Sequence, residues 1–512
     1  MSTFSTFVKE QPVTLNHEGE VAFSLSAEME LYTAVVTSFM NDTFYERTDQ
    51  RVTRIADLVR KCNPRFVAQL AVYARCEMNL RSVPLLLVVE LASCHSGDDL
   101  VSRTIEKVVL RADDIMELLS CYQWRNCQGA ENKKRKTLSR LSHQIQVGLQ
   151  KAFNRFDEYQ FAKYNRRGLA VTLRDALFIV HPKAKDDAQQ QLFDKIASDT
   201  LATPYTWETE LSALGRQHFE TAEDRQEAFA AKWEELIGSG KLGYMAMLRN
   251  LRNMLVNHVS GEFIRDVALR LGDEQEVLRS RQFPFRFFSA YREIYSIFNS
   301  DKMWLFPALE QALQASSQRI AGFDEHTRVL LACDMSGSMQ TPVSCKSDVK
   351  IFEIGLLLAM SLKNRCQNVV SGIFATNWKV VNLPSTRILQ NMDLMYRRVG
   401  EVGYGTEGHK AIEYLNEQNI VMDKVMMFTD CQMWNSYGGI NQTFCEEWDK
   451  YKKIAPNAKL YIFDLSGYGA TPLDVVREDV TLIAGWGDSI FDMLDAIDHS
   501  SAVLEEIKKT EI

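Results

Sequence analysis

The feature that most restricts how this 512-residue chain can fold is a change of texture near His326. Beyond it, short apolar runs of strand length alternate with helical patterns. Arg328–Asp334 is a buried-strand run and 348–362 a helix. Asn368–Phe374 is again strand-like, and residues 379–383 can pair beside it. The helix at 407–419 precedes the strand 424–430, a helix around 446–454 leads to Lys459–Asp464, and Val480–Ala484 is followed by a helix over 490–509. Strands alternating with helices predict a doubly wound α/β domain with a mostly parallel sheet. Its functional loops then belong at the carboxyl ends of the strands.

Before residue 325 the signals are helical. Residues 65–92 place Phe66, Leu70, Val72 and Tyr73 near one face, break at Arg81-Ser-Val-Pro84, and resume as a second apolar helix. Similar patterns recur at 100–119, 139–156, 173–180, 229–237, 244–256 and 263–271. Paired helices without strands predict an α-solenoid of degenerate repeats, with a compact helical bundle as the alternative. The expected division is therefore 1–325 and 326–512. A hydrophobic fraction of 46% gives each part a real core and argues against disorder. No run of about 18 uncharged apolar residues suggests a membrane span, and no basic-then-apolar leader is evident at the N-terminus. The ten cysteines form no CxxC pair and no zinc-finger spacing, so they read as reduced thiols of a cytoplasmic protein.

The first strand of the α/β half runs directly into Asp334-Met-Ser336-Gly337-Ser338. A hard divalent ion such as Mg²⁺ takes oxygen ligands and keeps several waters. One carboxylate and two hydroxyls on a tight loop supply part of that shell, and Gly337 is expected to let the backbone turn closely between the serines. Thr406, in Gly403-Tyr-Gly-Thr-Glu407, opens a helix, and Asp430 ends another strand. All five side chains are expected at one rim of the sheet. The three loops resemble the metal-ion-dependent adhesion site of von Willebrand factor A domains, over about residues 326–512. The resemblance implies that Asp334, Ser336, Ser338, Thr406 and Asp430 ligate a divalent ion directly or through water. Mg²⁺ is the first choice, with Mn²⁺ or Ca²⁺ as alternatives. It also implies a coordination position for an acidic group of a partner.

The net charge of −8 argues at first against a nucleic-acid partner, but charge is unevenly spread. Residues 131–190 carry 13 Lys and Arg against 6 Asp and Glu, a net of +7. Residues 401–512 carry 9 against 20, a net of −11. The basic stretch holds Lys133, Lys134, Arg135, Lys136 and Arg140, then Lys163, Arg166, Arg167, Arg174 and His181. Lys and Arg neutralise phosphates with salt-dependent affinity, and Tyr164 or His181 can stack on unpaired bases.

The helical half resembles the TROVE domain of the Ro autoantigen family. The resemblance is carried by Lys163-Tyr164, Arg166-Arg167, Leu173-Arg174-Asp175 and His181-Pro182, by the early helices 63–92, by Leu248-Arg-Asn-Leu-Arg-Asn253, and by Ser280-Arg-Gln-Phe-Pro-Phe285 with Ala290-Tyr291. The α/β half follows in the family's position, and the whole is similar to a bacterial Ro-like protein. One departure is Phe283, where the family often has His, which reads as a packing change.

The resemblance implies HEAT-like helical repeats bent into a ring and closed by the von Willebrand factor A domain. It implies a small noncoding Y RNA on the outer face and the single-stranded ends of misfolded RNAs in the hole. Lys163 and Arg167 match RNA-contacting positions, and His181 matches one important for Y RNA. The 133–140 cations are assigned by charge alone. The expected function is an RNA-binding scaffold, not an enzyme, working as a monomer, with an exoribonuclease as a further partner and no membrane. The alternative is a metal-dependent protein-binding adhesion module on a helical scaffold. Catalysis at the metal lacks an evident general base: His409, one turn after Thr406, is expected on a helix surface.

Overall fold

The computed structural model describes residues 13–17, 21–37, 48–127, 141–165, 169–282, 284–318, 323, 325–343, 349–433, 440–473, 477, 479–485 and 503–512. The chain divides into two compact units. One comprises residues 1–51 with 221–503, the other 52–220 with 504–512. This division falls elsewhere than the change of texture at 325/326, because the helices after residue 221 pack with the α/β part.

In the first unit, nine strands are described: β1 (Val13–Leu15), β2 (Val21–Ser24), β3 (Arg328–Asp334), β4 (Asn368–Phe374), β5 (Trp378–Val380), β6 (Lys424–Thr429), β7 (Lys459–Asp464), β8 (Ala470–Thr471) and β9 (Val480–Ala484). The large sheet has the order β5-β4-β3-β6-β7-β9 and is parallel except for the edge strand β5. Its strands are buried on both faces. Leu330, Ala332, Val425, Met427, Leu460 and Ile462 pack on Ala411, Leu415, Phe444 and Trp448 of the helices His409–Gln418 and Ile440–Ile454. The opposite face meets the helix Ile351–Arg365, buried almost throughout. That is the doubly wound arrangement the alternation predicted. The helix over 490–509 is seen as Val503–Lys508, its earlier part lying outside the described residues.

Residues before 325 were read as helical throughout, and here the structure differs. β1 and β2 form a hairpin that β8 extends into a small antiparallel sheet. Such short pairings carry no periodicity. The helix Ala27–Val36 follows, with the Ser26 hydroxyl accepting from the Met29 N–H at 3.2 Å, and Tyr32 donates to the Ala484 carbonyl at the end of β9 (3.3 Å). Helices Pro284–Tyr295 and Lys302–Ser317 reach the α/β part through side chains: Tyr291 donates to Asp393 at 2.6 Å, and the Glu310 carboxylate accepts from the Ile388 and Leu389 amides at the start of the helix Ile388–Tyr396. An anion at a helix N-terminus satisfies amides that no intrahelical carbonyl reaches.

The second unit is helical among its described residues. Pro64–Cys76, Ser82–Cys94, Leu100–Val108, Ala112–Cys127, His143–Phe153, Glu158–Tyr164, Leu173–Val180 and Asp187–Ser198 pack against one another in sequence-near pairs, as degenerate helical repeats do. A buried ion pair ties the early helices together: Arg75 lies 2.5 Å from Asp114, and its Nε donates to the Val108 carbonyl at 2.9 Å. Asp114 also accepts from the Leu110 and Arg111 amides, so its charge is fully used.

Candidate metal centre and basic helical face

The carboxyl edge of the large sheet brings the three predicted loops together. β3 and β6 are paired neighbours, so Asp334 and Asp430 leave adjacent strand ends. The Met335 amide bonds to the Phe374 carbonyl at the end of β4, and the Gly337 amide to the Tyr404 carbonyl (3.3 Å), which draws the Thr406 loop to the serine loop. Asp334, Ser336, Ser338, Thr406 and Asp430 are all buried. Ser336 Oγ lies 3.4 Å from Ser338 Oγ. Asp334 Oδ1 accepts from the Ser336 amide (2.8 Å) and Oδ2 from the Thr429 hydroxyl (2.6 Å), while Asp430 Oδ1 accepts from the Gln432 amide (3.1 Å). The role expected of Gly337 is corrected. Its φ of −61° and ψ of −43° are open to any residue, and an added Cβ would meet only the Tyr404 carbonyl, at 4.0 Å.

Electrostatics suit a cation. Burial, and then the neighbouring Asp430, push the Asp334 carboxyl up to about 7, against hydrogen bonds that pull it down. Two ionised carboxylates at neighbouring strand ends in a buried site repel each other, and a cation would offset that repulsion. Among the described residues no group of three or more His, Cys, Asp or Glu is placed to hold a metal. The donors here are two carboxylates and three hydroxyls, an all-oxygen set that fits a hard divalent ion and not a soft one. His409 is buried rather than on a helix surface, and burial holds its imidazole below the ordinary value.

The other predicted site lies in the second unit. Lys133, Lys134, Arg135, Lys136, Arg140, Arg166 and Arg167 fall outside the described residues. Lys163, Arg174 and His181 are exposed. Lys163 sits on Glu158–Tyr164, whose start carries a reciprocal cap between Asp157 and Gln160, and Arg174 on Leu173–Val180, capped the same way by Thr172 and Asp175. Both helices pack against Ala112–Cys127. His181 ends the second helix in the left-handed region at φ 50°, where Gln150 donates to its carbonyl at 3.1 Å. A non-glycine residue held there points its side chain where a continuing helix would not.

What faces these cations distinguishes them. Lys151 pairs with Glu106 and Lys195 with Glu158. Among the described residues Lys163 has no carboxylate partner: its Nζ lies 6.0 Å from the Tyr159 ring and 5.6 Å from the Tyr164 ring. Arg174 lies over Phe178, at 5.8 Å, and has no carboxylate partner among the described residues. Tyr159 and Phe178 are 50% and 53% exposed, which leaves ring surface for a ligand. Arg111 covers Tyr164 at 4.5 Å. The sequence reading missed Tyr159, Phe178 and Arg111. The first two were signalled by aromatic and basic residues four apart on one helix face; Arg111 comes from another helix pair and had no such signal.

Comparison with known proteins agrees with this architecture. The TROVE domain model matches residues 28–228 and 200–321, and the Ro60 vWA domain model matches residues 328–495. The chain belongs to the TROVE-domain family. That family binds RNA. Among solved structures, the crystal structure of the Deinococcus radiodurans Ro (RSR) protein superposes with a TM-score of 0.61, covering 92% of this chain and 100% of that one. At 18% identity this likeness speaks for the fold alone. Telomerase protein component 1 of Mus musculus is 25% identical over 324 residues, and that of Rattus norvegicus 25% over 321. The chain spans only 12% of the length of either relative. Among the described residues no helix is long and apolar enough to cross a membrane.

Proposed function

We propose that this protein is the RNA-binding scaffold of a small cytoplasmic ribonucleoprotein. Its ligands are a Y-like noncoding RNA and the single-stranded ends of misfolded RNA, and its role is RNA quality control or processing, beside an exoribonuclease. The observation that carries this reading is the pair Lys163 and Arg174, exposed cations without carboxylate partners among the described residues, each near an exposed ring. Phosphates take the cations and splayed bases take the rings. Sequencing the RNA that co-purifies with the protein at low salt tests it: an enriched small structured RNA is expected, and no enriched species across preparations contradicts it.

A second reading has its own observation, the convergence of Asp334, Ser336, Ser338, Thr406 and Asp430 at one rim. These residues would hold Mg²⁺, which supplies an electrophilic position for a partner's carboxylate; Mn²⁺ or Ca²⁺ would fit the same oxygens. Asp334→Ala separates the readings. It is expected to abolish Mn²⁺ binding in calorimetry and to leave RNA affinity unchanged. Loss of RNA binding in a folded Asp334→Ala protein would move RNA recognition to the metal rim.

A further inference from the structure

Six of the eighteen large apolar side chains exposed among the described residues fall between Val256 and Trp304, so exposed apolar surface is concentrated in one stretch. The fold gathers them further. The helices Tyr244–Val256 and Pro284–Tyr295 run side by side in one direction. Tyr244 meets Phe287 near their starts (ring centroids 6.3 Å apart), and Arg252 meets Glu293 near their ends (3.5 Å). The helices Gly261–Gly272 and Lys302–Ser317 do the same: an added Cβ at Gly261 would stand 2.8 Å from Asp301 Oδ1, and one at Gly272 3.4 Å from Ala308 Cα. The turn after Tyr295 joins the two pairs at one end. Asn299 donates to the Leu255 carbonyl (3.0 Å), and Lys302 Nζ donates to the Tyr295 and Ile297 carbonyls (both 2.7 Å). Val256, Tyr295, Phe298, Met303 and Trp304 therefore share that end. The Arg265 guanidinium lies 4.4 Å from the centre of the Trp304 ring, and Leu269 follows one turn later.

Phe298 is fully exposed in the turn, and Leu269 and Met303 are 75% and 63% exposed. At the areas such side chains offer, the six leave on the order of 700 Å² of apolar surface. That exceeds the usual patch on a monomer and is close to the ~800 Å² that each partner of a standard interface buries. The charges beside it decide what covers it. Glu262, Arg265 and Asp266 are exposed, and none of them has an ion pair among the described residues. One cation between two carboxylates is a poor seat for a chain of phosphates. It is complementary to itself: about a two-fold axis, Arg265 of each copy meets the acids of the other. The apolar part is self-complementary too, since it offers both a ring that stands clear, Phe298, and a ledge, Leu269, Met303 and Trp304. We propose that this face docks a second copy of the chain in a two-fold dimer. Phe298 of each copy rests on the ledge of the other, and Arg265 of each on the other's Glu262 or Asp266. This departs from the monomer expected from the family resemblance.

Sedimentation velocity of the full chain, freed of RNA by nuclease and a high-salt wash, tests the dimer over a concentration series. The wild type is expected to dimerise at micromolar concentration. Phe298→Ser is expected to weaken self-association by about tenfold or more, as loss of an aromatic anchor does. Arg265→Glu and Glu262→Arg/Asp266→Arg each set like charges opposite one another and are expected to be monomeric alone. Mixed in equal amounts they restore both opposite-charge pairs and are expected to dimerise as the wild type does, which a non-specific apolar contact does not reproduce. All these side chains are exposed, so the variants are expected to melt with the wild type. A wild type that stays monomeric at about 100 µM, far above the micromolar range expected of such a face, overturns the proposal. So does a dimer that Phe298→Ser and Arg265→Glu leave unchanged, or a mixture that shows no recovery. Lower RNA affinity in Phe298→Ser, with its mass the same as the wild type's, would give the face to RNA and overturn the proposal too.

Discussion

Lys163 and Arg174 differ from the cations around them in having rings, not carboxylates, for neighbours. Replacing each with Gln is expected to weaken RNA binding across sequences and to lower the slope of log affinity against log salt by roughly one per lost phosphate contact; filter binding over a salt series measures it. Gly467 has φ +67°, and an added Cβ would stand 2.2 Å from Thr37 Oγ1. Gly467→Ala is expected to cost roughly 1–3 kcal/mol from the backbone conformation, more from the clash, and to lower the melting temperature. His409 carries a pH prediction. Its folded value lies below 6.5 because of burial, so the unfolded chain takes the proton first. Its contribution to stability is whole above pH 6.5 and falls as pH drops through 6.5 toward the folded value. A denaturant series between pH 7.5 and about 5 is expected to show a steeper loss in the wild type than in His409→Gln.

Elements with a strong local signal stand where the sequence put them. Leu173–Val180 and Tyr244–Val256 match residue for residue, the first because its Thr172/Asp175 cap and its apolar period agree, the second on its apolar period alone, since Gly243 supplies no side-chain cap. The hairpin β1–β2 was illegible, since strands of three and four residues, one with Val13 and Leu15 exposed, carry too little alternation. The helix Ile388–Tyr396 was missed because it begins after Arg387 at φ 68° with no side-chain cap of its own; Glu310, from another helix, satisfies its first amides. Such long-range caps leave no trace in local sequence. The ion pair Arg75–Asp114 was equally hidden. Asp114→Ala strands a buried guanidinium and is expected to cost about 3–5 kcal/mol, read by urea unfolding.

Across the whole molecule, the rim that carries Asp334 and Asp430 was legible because both aspartates sit at neighbouring strand ends. In a parallel sheet every strand delivers its last residue to one edge, so Asp334 and Asp430 follow from strand order, while the loop of Thr406 is drawn to that edge by the Gly337 amide on the Tyr404 carbonyl. Asp464 was legible as the end of a strand, but the hydrogen bond from Arg51 to the Ser466 carbonyl just beyond it was not, because Arg51 lies in a distant part of the sequence. The basic face was legible as charge. The division of labour among its cations was not, because it depends on which neighbour each one meets in the fold. The carboxyl rim and the cation–aromatic face use different residues in different compact units, so each is expected to be removable without the other. The central claim is that the exposed cation–aromatic face binds RNA. The direct measurement is the affinity of the full chain for a labelled hairpin with a single-stranded tail, wild type against a Lys163→Gln/Arg174→Gln/His181→Gln variant, at two salt concentrations. The account predicts a loss of about tenfold or more at low salt and a shallower salt dependence, with an unchanged melting temperature. Equal affinity and equal salt slope in the two proteins would contradict it.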